Sequence, residues 1–258
     1  MDPFWADLRA REKEFMRSAK PEFRHGTCLV GVATLSGQFY CEYKVENEFA
    51  LGEVPTEAKD AGTELHDELM PTEELTPEDF ASLVGGKGPS YGVLGLWGTV
   101  DGLRLVGMPD HMIWSEGKPL WLVELKTTRG DPLPLWSDQE NQARIYGLLL
   151  DHMGFDCSNL RLAVVRLRSG ALDDGEKRDW AARVSKALMD DHVSELEEEH
   201  RGSIKVHVLR HERGLAEAGV AAKRGYWTEE REPTSSQSVG KCRACEYNNV
   251  CAKALTRP

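Results

Sequence analysis

Three residues in the segment GMPDHMIWSEGKPLWLVELKTT, which runs from Gly107 to Thr128, could hold a divalent cation and work beside it: Asp110, Glu124 and Lys126. Asp110 stands seven residues before Gly117 and Glu124 seven after it. A reversal centred on that glycine therefore sets the two acids directly opposite one another. Cross-strand neighbours have Cβ atoms roughly 4.5–5.5 Å apart, and the period of two places Lys126 on the same face as Glu124. Two carboxylates that close repel unless a cation lies between them, and oxygen donors of this kind suit Mg²⁺ or Mn²⁺. A protonated lysine is no ligand, but it can orient or help deprotonate water held at the metal. An isolated Glu-x-Lys is common and reads most simply as an ion pair on a solvated hairpin. Asp110 at the matching register is what raises it above that.

Other residues extend the set. His66, in GTELHDEL, ends the helix expected over Pro55–Met70 with Thr56 as its N-cap, although a lone helical histidine is ordinarily packed or solvated. Gln142 and Tyr146 are four residues apart and share one face of the next helix, which suits core edging equally well. Cys242, Cys245 and Cys251 fall within ten residues, whereas Cys28, Cys41 and Cys157 stand alone. Three clustered thiols in a large chain read as metal ligands, and a fourth is needed to close a tetrahedral set. Cys41 is the best candidate and Cys28 the second; Cys157 reads as a buried or incidental thiol. Zn²⁺ and an iron–sulfur cluster are both open on spacing alone, with free thiols or a disulfide behind them.

These residues need elements to hold them. Residues 3–19 read as a helix, and a cysteine-bearing segment follows near Thr27–Tyr43. Residues 71–90 are Pro-, Glu- and Gly-rich and read as a surface excursion with one short helix. Val93–Val100, Leu103–Trp114 and Leu120–Thr127 read as a three-strand meander separated by turn signals. A helix is expected from about Asp138 to Met153, a strand over Leu160–Leu167, one long polar helix over Gly175–Glu199 and a strand over Ile204–Leu209. The result is α/β, a mixed central sheet flanked by helices.

The ordered set His66, Asp110 after Gly107-Met108-Pro109, Glu124-Leu125-Lys126 and Gln142-x-x-x-Tyr146 resembles the PD-(D/E)XK nuclease superfamily, specifically its RecB-like branch, over about residues 38–252. The resemblance implies a restriction-endonuclease-like fold, with His66, Asp110, Glu124 and the Leu125 carbonyl holding a divalent metal. It gives Lys126 the task of positioning the attacking water, and Gln142 with Tyr146 that of steadying the motif or touching DNA. An imidazole ligand leans toward Mn²⁺ over Mg²⁺. The cysteine frame around these motifs is similar to that of iron–sulfur RecB-type nucleases: the CRISPR-associated RecB-like exonuclease family, exonuclease V and AddB-type modules. That likeness implies a [4Fe-4S] cluster on Cys41, Cys242, Cys245 and Cys251 and, in the CRISPR-associated case, DNA-end trimming during spacer acquisition with integrase proteins as partners. The implied organisation is an N-terminal segment, 1–55, a nuclease core, 56–213, and a C-terminal tail, 214–258, that joins the N-terminal segment in one cluster region.

Composition sets outer bounds. The 258 residues are 40% apolar and 29% charged, enough to bury a substantial core. No apolar run approaches the roughly 20 residues of a membrane helix, and the N-terminal residues show no secretory h-region, so a cytoplasmic protein without membrane contact is expected. The formal charge of −11 argues against coating nucleic acid by bulk charge, but a local groove and a metal can override an acidic surface. Arg161, Arg166, Arg168, Lys205, Arg210 and Arg213 could line a single-strand channel, though each on its own is more often a solvated position. Trp97, Trp121 and Trp227 could stack bases, with core packing the simpler role for the first two. Gly85-Gly86-Lys87 lacks the spacing of a phosphate-cradling loop. The leading expectation is a metal-dependent DNA exonuclease acting on single strands or overhangs. An exonuclease V-like or phage-type repair nuclease is close to it, and a non-catalytic DNA-end-binding or zinc-stapled scaffold protein is the alternative of another class.

Overall fold

A computed structural model describes residues 3–18, 21–56, 68–70 and 89–256. The chain enters through helix α1 (Pro3–Arg17), a short strand β1 (Val30–Gly31) and helices α2 (Val32–Gly37) and α3 (Glu42–Leu51). After the short β2 (Ser90–Tyr91) come β3 (Leu96–Val100), β4 (Leu103–Gly107), β5 (His111–Ser115) and the long β6 (Lys118–Thr128). Helix α4 (Ser137–Met153), β7 (Arg161–Arg168), α5 (Asp174–Arg178), α6 (Trp180–Met189), α7 (Val193–Glu199) and β8 (Ile204–Arg210) complete the middle. The tail is helix α8 (Arg213–Trp227) and the one-turn α9 (Val239–Ala244).

The strands form two sheets. One has the order β1-β4-β3 and the other β2-β5-β6-β7-β8. In the larger sheet β6 and β7 run parallel, and their neighbours pair antiparallel. The expected single strand Leu103–Trp114 is therefore two. Its break falls at Met108-Pro109, where proline brings no N–H to a ladder; β4 stays with β3 while β5 leaves to pair with β6. The expected long helix over Gly175–Glu199 is three short ones. Asp173 caps the first through a box with Glu176, and Asp191 at φ 57 turns the chain between the second and third. The expected helix Pro55–Met70, with His66 on it, and the excursion 71–90 lie almost wholly outside the described residues.

Alternation along β6 divides the interior. Leu122 joins a cluster with Tyr146, Leu149, Val164 and the tail residues Tyr226 and Trp227. Val123 and Leu125 face the other way, onto Val165, Trp180, Val184 and Leu188. Glu124 and Lys126 thus belong to the face that α4 covers. That helix ends on Gly154, whose φ of 93 supplies the left-handed cap. Among the described residues no helix is long and apolar enough to cross a membrane.

Candidate active site

The hairpin that carries the acids reverses at Glu116-Gly117, both at positive φ (51 and 75), as a two-residue turn demands. Beside the turn, Ser115 pairs with Lys118 and Trp114 with Pro119. The register then shifts between Ile113 and Trp114, and the pairs Ile113–Trp121, Met112–Leu122 and His111–Val123 are each symmetric about Gly117. The bulge adds one residue to β6 and so restores the alignment that a simple reversal at Gly117 would give. Asp110, one step beyond His111, falls beside Glu124. Its Oδ2 accepts the Leu125 backbone N–H at 2.6 Å.

Glu124 is 1% exposed, and its Oε1 lies 2.6 Å from Lys126 Nζ. Burial alone would lower the Lys126 pKa, but the charges of Glu124 and Asp110 and the Glu124 hydrogen bond outweigh it and hold the pKa above its ordinary value. The amine is therefore an ammonium at neutral pH, a donor and an orienting charge rather than a base. From α4, Gln142 Nε2 donates to the Tyr146 hydroxyl at 3.3 Å. Burial and the negative charges of Glu124 and Asp110 push the Tyr146 phenol well above its usual range, so it stays protonated. Gly107 lets that ring approach: a Cβ there would stand 2.7 Å from Tyr146 Cε1 and 3.1 Å from Val32 Cβ. Asp110, Glu124, Lys126, Gln142 and Tyr146 thus converge on one end of β6. The donor set suits a hard divalent cation, two carboxylates with one almost fully buried. His66 lies outside the described residues, and the Leu125 side chain is buried on the opposite face.

His111, next to Asp110, points toward the other layer. Its Nε2 meets Ser185 Oγ at 2.9 Å, and burial, opposed by Asp110, drops its pKa to about 4.

The four cysteines that the family resemblance implies as ligands line one pocket. Cys41, Cys242, Cys245 and Cys251 surround it together with Lys44, Lys241 and Lys253. Cys41 is the N-cap position of α3, and its Sγ accepts the Ser236 backbone N–H at 3.3 Å. Lys241 spans the two chain ends by donating to the Phe39 and Tyr40 carbonyls at 3.2 and 3.3 Å. Burial raises the Cys245 pKa, the backbone hydrogen bond at Tyr247 and the Lys44 charge opposing it and Glu246 and Cys41 adding to it. Four thiols with three ammonium groups around them form a donor set that fits a thiolate-ligated metal centre, whose negative charge the lysines would offset. Cys28 is not part of this pocket, and Cys157 is buried at the far end of α4, its thiol raised by burial and by Asp151.

The burial of two charged residues went unseen in the sequence. Glu42, fully buried, accepts both Nη atoms of Arg231 at 2.6 Å, the Thr234 amide at 2.7 Å and its hydroxyl at 2.9 Å. An acid in a charged helix (EYKVENEFAL) carries no signal of that. Arg166, offered from the sequence as a possible lining of a single-strand channel with a solvated position as the simpler role, is 3% exposed; its place between Val165 and Leu167 in a strand was the available hint of burial.

A family model for the PD-(D/E)XK nuclease superfamily matches residues 38–252. Exonuclease V of Danio rerio is 26% identical over 186 residues, which are 60% of this chain and 47% of that protein. The chain thus spans about half the length of that curated relative. The crystal structure of SSO0001 is similar over 96% of each chain, with 15% identity and a TM-score of 0.45.

Proposed function

This chain belongs to the PD-(D/E)XK nuclease superfamily, and from that premise we propose that it is a divalent-metal-dependent DNA exonuclease acting on single strands or overhangs. The observation that carries this reading is the meeting of Asp110, Glu124 and Lys126 at one end of β6. Asp110 and Glu124, joined by His66 and the Leu125 carbonyl, would hold the metal. Bound Mg²⁺ or Mn²⁺ would supply Lewis-acid stabilisation of charge on the scissile phosphate and a more acidic water. The Lys126 ammonium orients the attacking water and meets negative charge as it develops on phosphate oxygen. The Tyr146 phenol, steadied by Gln142, keeps a proton to donate beside the acids.

In the cysteine pocket Cys41, Cys242, Cys245 and Cys251 would hold a [4Fe-4S] cluster that ties the N- and C-terminal segments together; its task is structural. Iron and sulfide analysis with a visible spectrum on anaerobically purified protein tests this, and colourless protein with one zinc would replace it with the zinc-stapled reading. The biological setting we propose is DNA-end processing in CRISPR spacer acquisition with integrase proteins as partners. The likeness to exonuclease V favours a second setting, repair or recombination.

Degradation of an end-labelled single strand in Mg²⁺ or Mn²⁺ is the decisive assay. Glu124→Ala and Lys126→Ala should each lower cleavage by about 100-fold or more while DNA binding is kept. Unchanged degradation by either would remove the active-site assignment, and an inactive wild type would leave a DNA-end-binding protein.

A further inference from the structure

Strand β7 places Arg166 directly across from Lys126 in parallel register. Neighbouring strands lie about 4.8 Å apart, and paired residues share a face, so Arg166 is on the catalytic face one strand over. Its residue is 3% exposed, yet its Nε and Nη1 have no hydrogen-bond partner among the described residues. Burial lowers its pKa, and Asp131 and Asp138 only partly offset that. A buried cation with unfilled hydrogen bonds is costly, and such a group ordinarily finds an anion. The guanidinium fork matches phosphate oxygens bidentately.

Arg166 lines a groove of about 410 Å³ that begins at Thr127 and Thr128, just past Lys126, and reaches Lys241 by the cysteine pocket. On the groove wall stands Trp136, 47% exposed, its ring centroid 6.0 Å from the Arg166 guanidinium carbon. An exposed indole beside a phosphate-binding cation is the pairing that single-strand binders use, since every base has a face to stack. Asp138 Oδ1 and Gln139 Oε1, on the same wall, also lack partners. These acceptors suit base N–H groups, and the carboxylate disfavours a free phosphate dianion relative to a singly charged diester.

We propose that this groove seats a nucleotide of the single strand next to the scissile one, its phosphodiester on Arg166 and its base stacked on Trp136. The assignment rests on the nuclease reading for its orientation, but its test does not need cleavage. A fluorescein-labelled 20-nucleotide single strand of mixed sequence is titrated with the full-length protein in EDTA, with a blunt duplex of the same length alongside. Trp136→Ala should weaken single-strand binding by roughly 5- to 100-fold and narrow the preference over duplex, while Trp136→Phe keeps most of the affinity. Arg166→Met should weaken binding and reduce the slope of log K against log salt by about 0.7. Because it removes an unpaired buried charge, Arg166→Met should also melt no lower than the wild type, so that its loss of affinity is not a loss of fold. Wild-type affinity in both Trp136→Ala and Arg166→Met, equal losses on single strand and duplex, or no single-strand binding by the wild type would each overturn the proposal. Displacement of the strand by micromolar inorganic phosphate would overturn it too, in favour of a free-anion site. Cleavage with unaltered binding in the variants would sink the groove and spare the nuclease; the expected binding pattern without cleavage would do the reverse.

Discussion

At the residue scale the acid pair defines the behaviour of the metal-free protein. Asp110 and Glu124 are held side by side, one by a backbone amide and the other by Lys126. Lys126→Met removes the ammonium that pairs with Glu124 and leaves a buried carboxylate beside another negative charge. Removing one partner of a buried pair costs about 3–5 kcal/mol; with Lys126 28% exposed, about 2–3 kcal/mol is expected in urea unfolding with EDTA. Adding Glu124→Gln removes the charge that the lysine served, so the double variant should recover most of that loss, a coupling of about 1–3 kcal/mol. Additive losses would mean that the pair is not coupled as the geometry says. Because the folded lysine pKa is raised, its contribution is complete below about pH 10.4 and is lost only as pH climbs above that value.

At the element scale, what was legible in the sequence follows from periodicity. The hairpin, α4 and the Gln142–Tyr146 spacing were readable because strand and helix periods are fixed by backbone geometry. The bulge in β6 was not, since nothing in LWLVELK marks an extra residue, and the symmetric register came out correctly only because bulge and turn offset each other. The division into two sheets was likewise hidden: Pro109 marks a break but not which neighbour each half will choose. The burial of Arg166 and Glu42 was hidden for a related reason, as composition assigns charged residues to the surface and only tertiary packing shows otherwise. The junction where β4 leaves for β5 gives a test of how the layers are set. A Cβ at Gly107 would collide with Tyr146 and crowd Val32, so Gly107→Ala should destabilise by about 1–3 kcal/mol and lower cleavage by displacing the ring. A variant that melts and cleaves like the wild type would show that the close approach at Gly107 does not position Tyr146.

At the scale of the whole molecule, the proposed cysteine centre would be one device that ties the chain ends together, and a second stands in the structure beside it. If the four cysteines hold one centre, it closes a loop of about 200 residues between Cys41 and Cys242, worth on the order of 5 kcal/mol in the chain-entropy picture. Cys245→Ser, or stripping the centre with a chelator, should then lower the melting temperature and expose the tail to proteolysis before the core; equal protection of tail and core would exclude that role. The second device needs no metal. Glu42 on α3 is clasped by Arg231 and Thr234 of the tail and approached by Lys223 at 3.3 Å. Burial would raise its pKa, but the Arg231 and Thr234 hydrogen bonds and the Lys223 charge together lower it to about 2. A carboxylate depressed in the folded state stabilises above its unfolded value near 4.3 and loses that contribution as pH falls toward 2. The contribution at neutral pH is on the order of 2–3 kcal/mol, taken at the low end because Arg231 is 34% exposed. Glu42→Gln keeps the shape, cancels the charge and leaves Arg231 and Lys223 facing an amide. Urea unfolding should therefore find the variant weaker by about that amount at pH 7 and pH 5, with the two proteins converging between pH 4.3 and 2 as the wild type alone gives up this clasp. Curves that stay parallel through that window would show that the junction of the chain ends does not depend on the Glu42 charge.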